Sequence, residues 1–114
     1  MKKAKAEPSD DFVREAVLKL LYNAWKNPKG MESNKLKITD ICRDLKTQDI
    51  EKKYVIRNLW YLIETGWAIE EIKVSTFKKG SMSYTNEKKT YRVSKDGIDY
   101  FEGNSKFQKS NNLT

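Results

Sequence analysis

An α+β domain, with three helices ahead of a two-stranded antiparallel hairpin and a short closing helix, is what this sequence predicts. Two observations lead to it. Apolar residues recur at helical spacing as far as Ile63, and from Trp67 they give way to a run rich in β-branched and aromatic residues. The helical stretches are also bounded by capping and turn-forming residues. At 114 residues one domain is the expectation, long enough to bury a modest core.

Residues 1 to 8 are Lys/Ala-rich and end in Glu7-Pro8, which reads as a mobile basic arm, with the folded domain over 9 to 102. Ser9, Asp10 and Asp11 offer cap oxygens, and Phe12, Val13, Ala16, Val17, Leu20, Leu21 and Ala24 follow at helical spacing. A first helix is therefore expected from about Asp11 to Lys26, stopped by Asn27-Pro28. Lys35 to Ile38 alternates like a very short strand, and Thr39 is the expected cap of a second helix over about 40–46 carrying Ile41, Cys42 and Leu45. Lys46 to Asp49 makes a turn. Asp49 is the expected cap of a third helix, about 49–65, which carries Val55, Ile56, Leu59, Leu62 and Ile63 and ends at Gly66. Trp67 to Phe77 reads as one hairpin strand, Lys78 to Glu87 as polar turn and Lys88 to Val93 as the returning strand. Ser94 then caps a short helix, Lys95 to Glu102, whose Ile98 and Phe101 fold back on the core, and the Asn/Ser/Lys-rich tail over 103–114 is expected to be disordered.

Charge and missing residue types narrow the function. Lys and Arg number 23 against 16 Asp and Glu, and the excess of +7 on so small a surface favours a polyanionic partner. With no histidine and a lone Cys42, neither a zinc set nor an internal disulfide is available, and a Ser or Cys nucleophile has no ordinary base. The glycines are scattered singly rather than gathered in a phosphate loop. The paired carboxylates Asp10-Asp11 and Glu70-Glu71 read as solvated charge. No catalytic residue, metal or cofactor is expected, and an enzyme is not. No apolar run reaches the roughly 20 residues of a membrane span, and Met1-Lys2-Lys3 is not followed by a signal core, so the expectation is a cytoplasmic protein without membrane contact.

Residue-level patterns then point to a family. Ile38-Thr39-Asp40-Ile41-Cys42-Arg43-Asp44-Leu45 resembles the first helix of a helix-turn-helix motif, with Cys42 at its small-residue position. Val55, Leu59, Leu62 and Gly66 are similar to the steps of its second helix, and Tyr91 to Gly97 resembles the strand-to-helix corner that closes many prokaryotic winged-helix regulators. The chain over about 11–102 thus resembles a winged helix-turn-helix, of the small MarR and PadR types. Leu45 to Val55 is a few residues longer than the common spacing. The resemblance implies a three-helix core, a short strand, a two-stranded wing and a short C-terminal helix. It also implies sequence-specific binding of double-stranded DNA by a transcription regulator, the third helix entering the major groove. The alternatives are a winged helix used for protein interaction in a larger transcription or replication assembly, and RNA binding, for which the sequence displays no aromatic platform of the usual modules.

Opposite the apolar face of the third helix project Lys53, Tyr54, Arg57 and Tyr61, with Asn58 at the margin and Lys52 in the first turn. Arg reads guanine, Asn reads adenine, and Lys and Tyr hold phosphates. Lys78, Lys79, Lys88 and Lys89 flank the hairpin tip as a cationic finger for phosphates or a minor groove. On the first helix Leu18, Tyr22 and Trp25 form a second apolar stripe, which predicts a homodimer; the rival expectation is that the chain's own C-terminal segment covers it, with Phe107 over Trp25. No small-molecule effector is evident.

Overall fold

The computed structural model describes residues 7–28 and 35–103. Most of the expected basic arm (1–6) and of the tail, with Phe107, lies outside them. Four helices and one antiparallel two-stranded sheet follow in the order α1 (Asp10–Lys26), α2 (Ile38–Lys46), α3 (Lys52–Glu64), β1 (Ala68–Lys79), β2 (Met82–Val93) and α4 (Lys95–Phe101). The core joins Val13, Val17, Leu18 and Leu21 of α1 to Ile41 and Leu45 of α2 and to Val55, Leu59 and Leu62 of α3, and Ala68, Tyr91 and Val93 close it from the base of the hairpin. No described helix is long and apolar enough to cross a membrane.

Local chemistry sets the ends. Ser9 caps α1 by accepting from Phe12 N at 3.1 Å, and Ser94 caps α4 by accepting from Gly97 N at 3.2 Å. The expected cap Thr39 lies inside α2 instead. That helix starts at Ile38, and Asp40 reaches back to accept from Lys37 N at 3.2 Å. Asp49 does not cap α3. With φ +63 it ends α2: its N–H donates to Lys46 O at 3.0 Å and that of Ile50 to Leu45 O at 3.2 Å, while the side chains of Leu45 and Ile50 are both buried. This is a Schellman closure, in which Asp tolerates the left-handed position better than most residues. Glu51 precedes α3 as its cap residue. The expected strand over Lys35 to Ile38 shrinks to one bridge, Leu36 with Tyr91, because Ile38 is already helical.

The hairpin is longer than its sequence suggests. β1 and β2 pair without interruption from Ala68↔Val93 to Lys79↔Met82, so the turn is only Gly80-Ser81 rather than Lys78 to Glu87. Gly80 takes φ +67, the backbone a type II′ turn asks of its first central residue. From Ile72 to Lys79, and back from Met82 to Lys89, both strands are exposed. At about 3.4 Å per residue the free part extends about 27 Å from the body.

The stripe expected to pair two copies is in part used within the chain. Leu18 is only 3 % exposed and belongs to the core, and the Tyr22 ring stacks on Phe101 of α4 at 5.1 Å while its hydroxyl donates to Glu102 at 3.0 Å. Trp25 is half-buried with Tyr22 5.8 Å away. Over Leu18 and Tyr22 the cover comes from α4, and Gly97 makes it possible: a Cβ there would lie 2.8 Å from Trp67 O, 2.5 Å from Val93 Cγ2 and 3.1 Å from Leu18 Cδ1. An exposed second stripe on α1 is therefore corrected.

Candidate nucleic-acid interface

Helix α3 turns Val55, Leu59 and Leu62 into the core, which leaves Lys53, Arg57, Trp60 and Glu64 along its outermost line, with Lys52 in the exposed first turn. Trp60 is 58 % exposed. The sequence reading passed over it, although its spacing carried the signal: it lies seven residues after Lys53 and three after Arg57.

Of three other side chains expected on this face, Asn58 and Tyr61 are engaged by α1 and Tyr54 lies beside the face's own cations. Asn58 is fully buried. Its Oδ1 accepts from Arg14 Nε at 2.9 Å, and its Nδ2 donates to Asp10 Oδ1 at 3.1 Å and to Tyr54 O at 2.9 Å, which locks α1 to α3. Asn58 is thus a structural tie, and its expected place at a base edge is corrected. Tyr61 lies under the Arg14 guanidinium, 3.5 Å from the ring centroid. Half-buried Tyr54 has Lys53 Nζ at 5.1 Å and Arg57 Cζ at 5.3 Å from its ring.

Arg57 is exposed yet held. Its Nη2 donates to Asp10 Oδ1 at 2.7 Å and to Glu7 Oε1 at 3.1 Å. The hydrogen bonds from Asn58 and then Arg57 lower the Asp10 pKa, and those to Asp10 and then Glu7 raise that of Arg57. Asp10 is therefore a partner for two side chains rather than solvated charge.

The hairpin carries six cations against three carboxylates between Ala68 and Val93. Its carboxylates are used locally: Glu71 pairs with Lys35 at 3.1 Å and Arg92 at 3.5 Å, Glu70 accepts from the Tyr91 hydroxyl at 3.0 Å, and Glu87 lies 3.9 Å from Lys89. The hydrogen bond from Lys35 is the main reason the Glu71 pKa is lowered. Burial, then the Glu70 carboxylate, pushes the Tyr91 hydroxyl up to about 12. The expectation of solvated charge at Glu70 and Glu71 is corrected accordingly. No described hairpin carboxylate is left for Lys78, Lys79 or Lys88. Lys78 and Lys79 flank the turn as expected, whereas Lys88 and Lys89 sit mid-strand opposite Lys73 and Ile72, on opposite faces of the ribbon.

A groove of about 720 Å³ opens where the long turn separates α2 from the start of α3, lined by Ile38, Cys42 and Ile50 with Arg43, Lys46 and Lys52 among its charged residues. Burial raises the Cys42 pKa there. Comparison with protein-family models, with curated proteins and with solved structures finds no match for this chain.

Proposed function

We propose that the chain is a winged helix-turn-helix protein that binds double-stranded DNA as a transcription regulator, with α3 in the major groove and the hairpin on the phosphate backbone or minor groove. The observation that carries this reading is the hairpin: a ribbon whose outer part, about 27 Å long, is exposed, with Glu71 and Glu87 beside cations of their own and Glu70 bonded to the Tyr91 hydroxyl, while no carboxylate among the described hairpin residues is left for Lys78, Lys79 or Lys88. Lys52, Lys53 and Arg57 give the N-terminal half of α3 the same sign. Arg57 reads a guanine only after DNA displaces it from Glu7 and Asp10, and the phosphates that approach α3 weaken that pair electrostatically.

A selection of bound sequences from random duplexes tests the reading, followed by two variants. Arg57→Ala is expected to cost about 1–3 kcal/mol and to relax preference at one position, whereas Lys79→Ala weakens all sequences alike. Equal, sequence-blind losses reduce Arg57 to a phosphate contact, and no enriched sequence removes specificity from the proposal. A second reading, a winged helix that docks on protein in a larger assembly, is favoured by Trp60 standing exposed at the centre of the outer face of α3. Trp60→Ala separates the two: DNA affinity is retained if that residue serves a protein partner and falls if it packs in the groove.

A further inference from the structure

We infer that the hairpin tip is a base-stacking platform that gives the chain a preference for DNA in which unpaired bases adjoin a duplex. The inference rests on the DNA-binding reading above and deepens it. Phe77 and Tyr84 are direct cross-strand partners, so both rings stand on one face of the ribbon, stacked with centroids 5.4 Å apart and planes 22° apart. They remain 52 % and 40 % exposed, and no other described ring stacks on them. The register sets what surrounds them on that face: Lys79 with Met82 toward the turn, then Ser75 with Asn86, and then Lys73 with Lys88 toward the body. Successive levels lie about 7 Å apart.

Read outward, that face offers the Lys88 cation, a hydrogen-bonding pair, an aromatic pair and the Lys79 cation. Single-stranded nucleic acid is bound by the same combination, with rings for the bases and cations for the backbone. Charge complementarity selects the occupant, because cations at both ends of an aromatic patch suit a polyanion that carries flat faces. Bases inside a duplex already stack on one another and have no face to give. Unpaired bases next to a duplex do, and the body of the domain stays on the paired segment.

The test uses the full chain and fluorescence anisotropy on three DNAs: a blunt duplex, the same duplex with a short single-stranded thymidine extension, and a longer blunt duplex that matches the added phosphates. The extension is expected to tighten binding about fivefold or more beyond the longer duplex. Phe77→Leu/Tyr84→Leu keeps an apolar cross-strand contact and is expected to lose that gain while binding blunt duplex as before. Phe77→Tyr and Tyr84→Phe keep the gain. An extension that adds nothing beyond the longer duplex overturns the inference, as does a gain that survives in the leucine variant or vanishes in the conservative ones. Binding to anionic vesicles that the leucine variant abolishes, with the DNA preference untouched, assigns the rings to a lipid surface and also overturns it. If blunt duplex binds and the extension adds nothing, only this inference falls; if neither DNA binds, the DNA-binding reading falls with it.

Discussion

Asn58 shows how far a residue's type misleads when its neighbours are out of view. On a helical projection it sits at the edge of an exposed face, and only the fold brings Arg14 and Asp10 of α1 against it. Truncation leaves the Arg14 guanidinium and the Asp10 carboxylate short of a partner, so Asn58→Ala is expected to destabilise the protein by about 1–3 kcal/mol, measured by chemical denaturation. A variant as stable as the wild type contradicts the tie. Asp10 in this network, and Glu71 in its separate pair with Lys35 and Arg92, set a pH dependence. Asp10 and Glu71 have pKa values lowered from 3.8 and 4.5, so the folded state binds fewer protons than the unfolded one near those values. Their contribution is complete above the ordinary values and is lost as pH falls through the lowered ones. Stability is expected to drop as acid is added below about pH 4, and Asp10→Asn to flatten part of that drop. A variant with the wild-type acid profile shows that Asp10 carries none of it.

Among the elements, those with a buried face were legible and those without one were not. α1 and α4 run close to their expected limits because apolar periodicity and the caps Ser9 and Ser94 act locally, whereas α3 ends as expected at Glu64 but starts three residues late because Asp49 closes α2 instead of capping it. The outer hairpin reads as a turn in the sequence because, among the described residues, both its strands are exposed, so nothing forces polar and apolar residues to alternate from Lys78 to Glu87. The Phe77–Tyr84 pair was hidden for the same reason, since it exists only in a register that keeps both residues in strand. The second stripe on α1 was legible as apolar, but its cover depends on α4 approaching within the reach of a glycine. Gly97→Ala places a methyl 2.8 Å from the Trp67 carbonyl oxygen, which cannot move aside as a side chain does. The expected loss is about 1–3 kcal/mol in denaturation, with Tyr22 and Trp25 more exposed in fluorescence quenching. Wild-type stability and quenching contradict the close approach of α4.

For the whole molecule, the architecture of four helices and one hairpin followed from pattern, whereas the candidate interface followed only in part. Its cations were visible as residue types: Lys52, Lys53, Lys78 and Lys79 stand where they were expected. The engagement of Arg57 by Glu7 and Asp10, the pairing of Glu71 with Lys35 and the hydrogen bond from Tyr91 to Glu70 depend on contacts distant in sequence. The net effect is an excess of cations over carboxylates on the hairpin, six against three, with Lys52 and Lys53 exposed at the start of α3. A chain of +7 whose cations act together on phosphates releases counterions on binding. The most direct test is therefore the affinity of the purified chain for duplex DNA measured across salt concentrations. Five contacts, from Lys52, Lys53, Lys78, Lys79 and Lys88, predict a linear fall of log K with log salt of slope about −4.5, reduced by about 2 in Lys78→Ala/Lys79→Ala. A salt-independent affinity, or no binding at low ionic strength, contradicts the account.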